Sequence, residues 1–157
     1  MSILASSLRS LWAPGLNEIT GNVATGINGW VAEGDYQIYQ PVKANQFSLT
    51  MADSQPFLLA SASDINRTAS AAFESISSAT KNELFPKSSA WILIKSYYAA
   101  YFAAHAVTRM LGTAFVTLER PQTAAINKIA NLFGNWQQDL PTGTFHYRFI
   151  SHLDAQY

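Results

Sequence analysis

The segment SSAWILIKSYYAAYFAAHAVTRMLG, Ser88–Gly112, dominates the sequence because it is long enough for a helix and apolar on almost every side. Lys95, His105 and Arg109 interrupt its apolar residues. A membrane span needs about 20 mostly apolar residues, and charge inside a bilayer is costly. A helix that is apolar all round is usually a buried one. The segment therefore predicts a central core helix that is capped by its first serines and stopped by its final glycine.

A second helix is predicted before this segment, from about Ser61 to Leu84. Apolar residues recur there at steps of three and four between Ile65 and Ala79, which gives one apolar stripe. Ser61 and Asp64 have the spacing of a capping box, in which two side chains satisfy free backbone N–H groups.

Two more helices are predicted after the central segment. The first runs from Pro121, a favoured first-turn residue, to Phe133, and Gly134 ends it. After a loop with proline and glycine, the last segment TFHYRFISHLDAQY is expected to be helical from about Phe145. No C-terminal signal precedes Tyr157, which suggests that a longer protein continues beyond it.

The first 56 residues are expected to form an irregular arm. Leucines and a tryptophan at residues 4–12 follow helical spacing, and the glycines of GNVATGING indicate turns. Residues 30–50 alternate weakly and are rich in β-forming side chains, so we expect a hairpin or extended arm with Pro41 at an edge. The predicted fold is all-α, with a compact helical bundle over residues 57–157 and a partly β arm over residues 1–56.

Charged residues make up only 13% of the chain, about half the usual share of roughly 25%. An isolated monomer normally covers its surface with more charge. We therefore expect either that a partner covers part of the surface, in a homo-oligomer or in a larger protein complex, or that the chain is one piece of a larger protein. The formal net charge of +0 shows no basic excess of the kind that strong non-specific nucleic-acid binders carry.

The sequence contains no cysteine. This excludes disulfides, thiol catalysis and cysteine metal sites, and it is compatible with a reducing compartment. The first residues also lack the basic and apolar regions of a signal peptide, so a cytoplasmic location is expected. Three histidines occur without an HExxH motif or a carboxylate cluster, and no P-loop is present, so we expect neither a metal nor another cofactor.

The stretch SYYAAYFAAHAVTRMLG, residues 96–112, resembles the second core helix of the HEPN family. In that family a Tyr-Tyr-Ala-Ala-aromatic run leads through small residues to a Leu-Gly end, and residues 61–152 match the surrounding architecture. The resemblance implies a compact helical bundle that pairs with a second copy. Many members are metal-independent ribonucleases of toxin–antitoxin, CRISPR-linked or abortive-infection systems, and others are non-catalytic interaction modules.

Catalytic members of the family carry an arginine followed, after four to six residues, by a histidine near the last helix. The nearest match here is RFISH, where three residues separate Arg148 from His152. The resemblance implies that these are the catalytic residues, with Arg148 holding a phosphate and His152 acting as base or acid. His146 and Tyr147 would contact the substrate. The alternative is an amphipathic final helix whose polar residues are simply solvated.

His105 and Arg109 form a second pair, four residues apart on the central helix. They could line the cleft of a dimer and contact substrate there. The alternative is a core histidine bonded to a backbone carbonyl, with Arg109 extending to solvent near the helix end.

Two functions follow from the sequence. One is a metal-independent endoribonuclease of a prokaryotic defence or toxin–antitoxin system, which acts on RNA as a dimer. The other is a non-catalytic helical scaffold within a larger protein complex. The short spacing in RFISH and the low charge favour the second function, whereas the arginine and histidines near the end of the chain favour the first.

Overall fold

The computed structural model describes residues 25–39, 41–43, 46–80 and 88–149. Most of these residues are helical, and two small two-stranded sheets, β1–β2 and β3–β4, accompany the helices. The elements, in chain order, are α1 (Ile27–Glu33), β1 (Gln37–Ile38), β2 (Leu49–Thr50), α2 (Gln55–Thr80), α3 (Ser89–Met110), β3 (Thr113–Leu118), α4 (Arg120–Leu132) and β4 (Gly143–Arg148). The predicted predominance of helix is confirmed.

The described residues divide into two compact units that are discontinuous in sequence. The first unit takes the residues up to Ser61 and those from Phe115 to His146. The second unit takes Ala62–Ala114 and the residues from Tyr147 onward. The predicted division between an arm over residues 1–56 and a bundle over residues 57–157 stays a prediction.

The core of the first unit is built where α1 packs against α4. Trp30 on α1 is 2% exposed, and its ring lies 5.3 Å from that of Tyr36 and 5.0 Å from that of Phe57. The Tyr36 hydroxyl donates a hydrogen bond to the Val31 carbonyl at 2.8 Å, and burial raises the pKa of Tyr36 well above its usual range. On α4, Ile126 is fully buried. Helix α1 was not predicted, because its glycines indicated turns.

The predicted hairpin is present as β1 and β2, which pair antiparallel with Gln37 opposite Thr50. The Val42 N–H donates to the Asn135 carbonyl at 2.9 Å, and the Asn135 side chain donates to the carbonyl of Ile38. These bonds tie the hairpin to the loop after α4. The helix predicted near Leu8 lies outside the described residues.

Helix α2 begins at Gln55, six residues before the predicted start. The Gln55 N–H donates to an Asp53 carboxylate oxygen at 2.9 Å, which satisfies one of the free donors of the first turn. The capping box predicted at Ser61 and Asp64 is therefore wrong, because both residues lie inside the helix. Asp64 is instead buried and forms a 2.8 Å ion pair with Arg67.

Helix α3 has the predicted ends but not the predicted environment. Ser88 is its N-cap residue, and Gly112 follows it with a φ of +74°, a backbone conformation that favours glycine. Only Ala99 and Ala106 are buried on this helix. The prediction of a core helix buried on all sides is wrong for the described residues. None of the described helices is long and apolar enough to cross a membrane.

Helix α4 matches the sequence prediction closely. Glu119 is the N-cap, and a capping box joins it to Gln122, with Pro121 in the first turn. Ile126 and Ala130 of the predicted stripe are fully buried. Phe133, in contrast, is exposed.

Strand β4 replaces the helix that was predicted from about Phe145. Half-buried and exposed residues alternate along it, so Thr144, His146 and Arg148 are exposed while Phe145 and Tyr147 are half-buried. This period of two is that of a strand. Its partner β3 was not predicted, although TAFVTL also alternates between exposed and buried side chains.

Candidate functional site

A column of stacked side chains runs along α3 in the second unit. Tyr97, Tyr101, His105 and Arg109 follow one another at intervals of four residues, which places them on one side of the helix. The Tyr97 and Tyr101 rings are 6.3 Å apart and nearly parallel, and the Tyr101 and His105 rings are 4.4 Å apart. The column ends where the Arg109 guanidinium meets His105, with Nη1 at 3.1 Å from Nδ1.

Large apolar side chains extend this column into a broad exposed surface. Tyr97 is 65% exposed and Tyr98 is 47% exposed, with their rings 5.5 Å apart. No acidic residue lies on α3, and its only charged side chains are Lys95 and Arg109. We call this surface the α3 aromatic face; it consists of Leu93, Ile94, Tyr97, Tyr98 and Tyr101.

The contact between His105 and Arg109 fixes the protonation state of the imidazole. Arginine is a donor only, so His105 Nδ1 must accept the hydrogen bond and the ring proton must lie on Nε2. Burial, and secondly the positive charge of Arg109, lower the pKa of His105. A neutral ring whose acceptor nitrogen is already occupied is a poor general base. The arrangement therefore favours a structural role for the pair: orienting the aromatic column.

Replacing Arg109 by methionine is expected to raise the pKa of His105, because the substitution removes the positive charge beside the ring. The folded state favours the neutral His105 ring, so protonation of this ring should destabilise the fold as the pH falls below the ordinary histidine pKa of 6.5. This loss of stability should be smaller in Arg109→Met. An NMR titration of the histidine ring signals measures the shift. Lys95→Met is the control, because ten residues of helix separate Lys95 from His105 by about 15 Å. An unchanged or lower His105 pKa in Arg109→Met would contradict this electrostatic coupling.

The predicted catalytic pair is not brought together by the described structure. Arg148 is exposed at the end of β4, and His152 lies outside the described residues. Because Arg148 belongs to a strand, the helical spacing that was expected to align the two side chains does not apply to it. Their catalytic role stays a prediction.

The other predicted substrate contacts lie on opposite faces of β4. His146 is exposed, and its ring lies 5.2 Å from that of Phe115 on β3. Tyr147 is half-buried on the other face. The sequence motifs did not indicate Phe115, although the alternation of TAFVTL identifies it as the exposed aromatic residue of a strand.

Within the described ranges, no group of three or more histidine, aspartate or glutamate side chains is placed to hold a metal ion. No family model, no curated protein and no solved structure matches this chain.

Proposed function

We propose that the chain is a helical interaction module that pairs with a second copy of itself through the α3 aromatic face. The observation that carries this proposal is the exposure of five large apolar side chains on one side of a helix without acidic residues. Exposed apolar surface of this extent is typical of a protein interface. Tyrosine suits such a surface, because its ring is apolar and its hydroxyl can still form a hydrogen bond.

The size of the face is compatible with a stable pair. A standard interface buries about 800 Å² on each partner. Aromatic side chains bury about 150–250 Å² each when fully covered, so the exposed parts of this face supply on the order of 500 Å² per protomer. In a two-fold pair the two faces together bury about 1,000 Å², which is the lower end of the range for a specific interface.

The resemblance to the HEPN family supports a second copy as the partner, because its members pair. It also supports a helical bundle and a place in a prokaryotic defence or toxin–antitoxin system, in the cytoplasm. The low share of charged residues favours the same interpretation, since a paired surface requires less charge to stay soluble.

Sedimentation equilibrium of the wild-type chain tests the pairing. We expect the average mass to rise from the monomer value of 17.2 kDa towards twice that value as the concentration increases. A mass that stays at the monomer value up to about 100 μM would contradict the proposal, because such an affinity is weaker than that of ordinary specific association.

A second candidate function is metal-independent RNA cleavage. The exposure of both His146 and Arg148 on β4 favours it, because an imidazole can transfer protons and a guanidinium can bind phosphate. In this alternative Arg148 and His152 are the catalytic residues, and the pairing of two protomers through the α3 aromatic face assembles the cleft.

Cleavage of a mixed tRNA and mRNA pool in EDTA tests this alternative. We expect wild-type cleavage to be lost in both Arg148→Ala and His152→Ala if they are catalytic, with Lys128→Ala as an exposed control on α4. Cleavage that both variants retain would contradict the assignment of these residues. An inactive wild-type chain would leave the interaction module as the function.

A further inference from the structure

We propose that a pocket in the first unit binds a neutral saccharide of about one or two sugar rings. The pocket lies between the β1–β2 hairpin and the segment that follows α4, and its volume is about 300 Å³. It is lined by Gln37, Ile38, Tyr39, Thr50, Phe133 and Asn135. This inference goes beyond the pairing of two chains and does not depend on it, because every lining residue belongs to the first unit.

One wall of the pocket is the outer face of the hairpin. Gln37 and Thr50 lie directly opposite each other in the antiparallel pair, so their side chains share one face. Tyr39 follows Gln37 by two residues and continues the pairing through its N–H bond to the Ser48 carbonyl at 3.1 Å, which places its ring on that face as well. Ile38, which lies between them, is buried. The hairpin therefore presents an amide, a hydroxyl and a tyrosine ring to a ligand.

The other wall, formed by Phe133 and Asn135, is held to the hairpin by hydrogen bonds. The Asn135 side chain donates to the Ile38 carbonyl, and the Asn135 carbonyl accepts from the Val42 N–H at 2.9 Å. The Asn135 N–H in turn donates to the Ala130 carbonyl of α4 at 2.9 Å. These bonds join both walls before any ligand arrives. A ligand that enters such a preformed pocket loses little binding energy to the ordering of the protein.

The lining combines uncharged polar groups with two aromatic rings, and a saccharide matches both. Amides and hydroxyls each donate and accept hydrogen bonds, as the hydroxyls of a sugar do. The faces of the Tyr39 and Phe133 rings carry the negative side of the ring quadrupole, which attracts the weakly positive C–H groups on the apolar side of a sugar ring. Tyr39 is 74% exposed and Phe133 is 55% exposed, so a ligand can reach both rings.

The same lining disfavours ionic and purely apolar ligands. None of the six lining residues carries a formal charge that would pair with an ion. A purely apolar ligand would cover the polar side chains of Gln37 and Thr50 without offering them hydrogen bonds, which costs free energy. The volume lies at the lower end of the range of about 300–1,000 Å³ for ligand pockets, which fits a small saccharide.

Saturation-transfer-difference NMR with maltose, cellobiose and lactose as probes tests the site. We expect at least one of these disaccharides to bind with a dissociation constant near about 1 mM, with saturation strongest on its ring C–H protons. Tyr39→Ala and Phe133→Ala are each expected to weaken this binding at least about 5-fold, because each removes one ring face. Both side chains are exposed, so the fold should persist, and circular dichroism checks it.

Phe115→Ala is the matched control, because Phe115 is 58% exposed in the same unit but does not line the pocket. It should bind as the wild type does, and added salt should leave binding unchanged, because the lining is uncharged. Three results would overturn the proposal: no saturation of any of the three sugars up to about 10 mM, equal losses in Phe115→Ala and Phe133→Ala, or unchanged binding in Phe133→Ala. Adenosine that binds more tightly than every sugar would overturn it as well, since the pocket would then select a flat base.

Discussion

The double substitution Tyr97→Asp/Tyr101→Asp is expected to weaken self-association by at least about 100-fold, because a buried unpaired carboxylate costs several kcal/mol. Both tyrosines lie on the α3 aromatic face and are exposed in the single chain. The change should therefore leave the fold of the protomer nearly intact. In a two-fold pair the substitution places four carboxylates in one interface. Sedimentation equilibrium measures the dissociation constant, and circular dichroism checks that the helices persist.

The control for this prediction adds the same charges to another exposed apolar surface. Phe73 and Ile76 are exposed on α2, so Phe73→Asp/Ile76→Asp carries the same change in net charge. We expect it to associate as the wild type does. An equal loss in both double variants would show that net charge, and not the α3 aromatic face, governs association.

Replacing Trp30 with alanine is expected to lower the free energy of unfolding by about 3–5 kcal/mol, the usual cost of truncating a buried aromatic residue. Trp30 is 2% exposed and contacts the rings of Tyr36 and Phe57, so its removal leaves a cavity between α1, the following loop and the start of α2. Urea unfolding followed by fluorescence measures the change.

Tyr39→Ala is the control for this stability experiment, since Tyr39 is an exposed aromatic residue next to β1. Its effect should stay within about 0.5 kcal/mol, as for most surface substitutions. A loss below about 1 kcal/mol in Trp30→Ala would mean that the described core of the first unit does not carry the stability of the chain.

Local signals in the sequence predicted the ends of two helices. Pro121 marks the first turn of α4, and Gly134, with a φ of +70°, follows its end. Ser88 and Gly112 bound α3 in the same way. Capping and left-handed glycine depend on a few adjacent residues, so they can be recognised without knowledge of the tertiary structure.

The strand at β4 could not be separated from a helix by its pattern alone. In TFHYRFISH, residues four apart lie on one face in a helix and also in a strand, because four is a multiple of the strand period of two. Whether this segment forms a helix or a strand depends on its pairing with β3, which is a non-local contact. The prediction that Arg148 belongs to a helix was wrong for this reason.

The environment of α3 was mispredicted because apolarity indicates burial but does not identify the covering surface. Trp91, Tyr97 and Tyr98 are exposed in the single chain, although the pattern around them is that of a buried helix. The proposed pairing with a second copy would reconcile the two observations. The spacing of His105 and Arg109 placed them on one face of α3 but did not predict their contact, and the neighbour of His146 was not predicted either, because Phe115 lies 31 positions away in the sequence.

Cysteine cross-linking on α3 tests the central claim most directly, because the chain contains no cysteine of its own. Tyr101→Cys places a single thiol on the α3 aromatic face, and Phe73→Cys places one on the exposed side of α2. With a short bis-maleimide, we expect a covalent dimer from Tyr101→Cys at low micromolar concentration and almost none from Phe73→Cys. Equal cross-linking of both variants, or none from Tyr101→Cys, would contradict pairing through the α3 aromatic face.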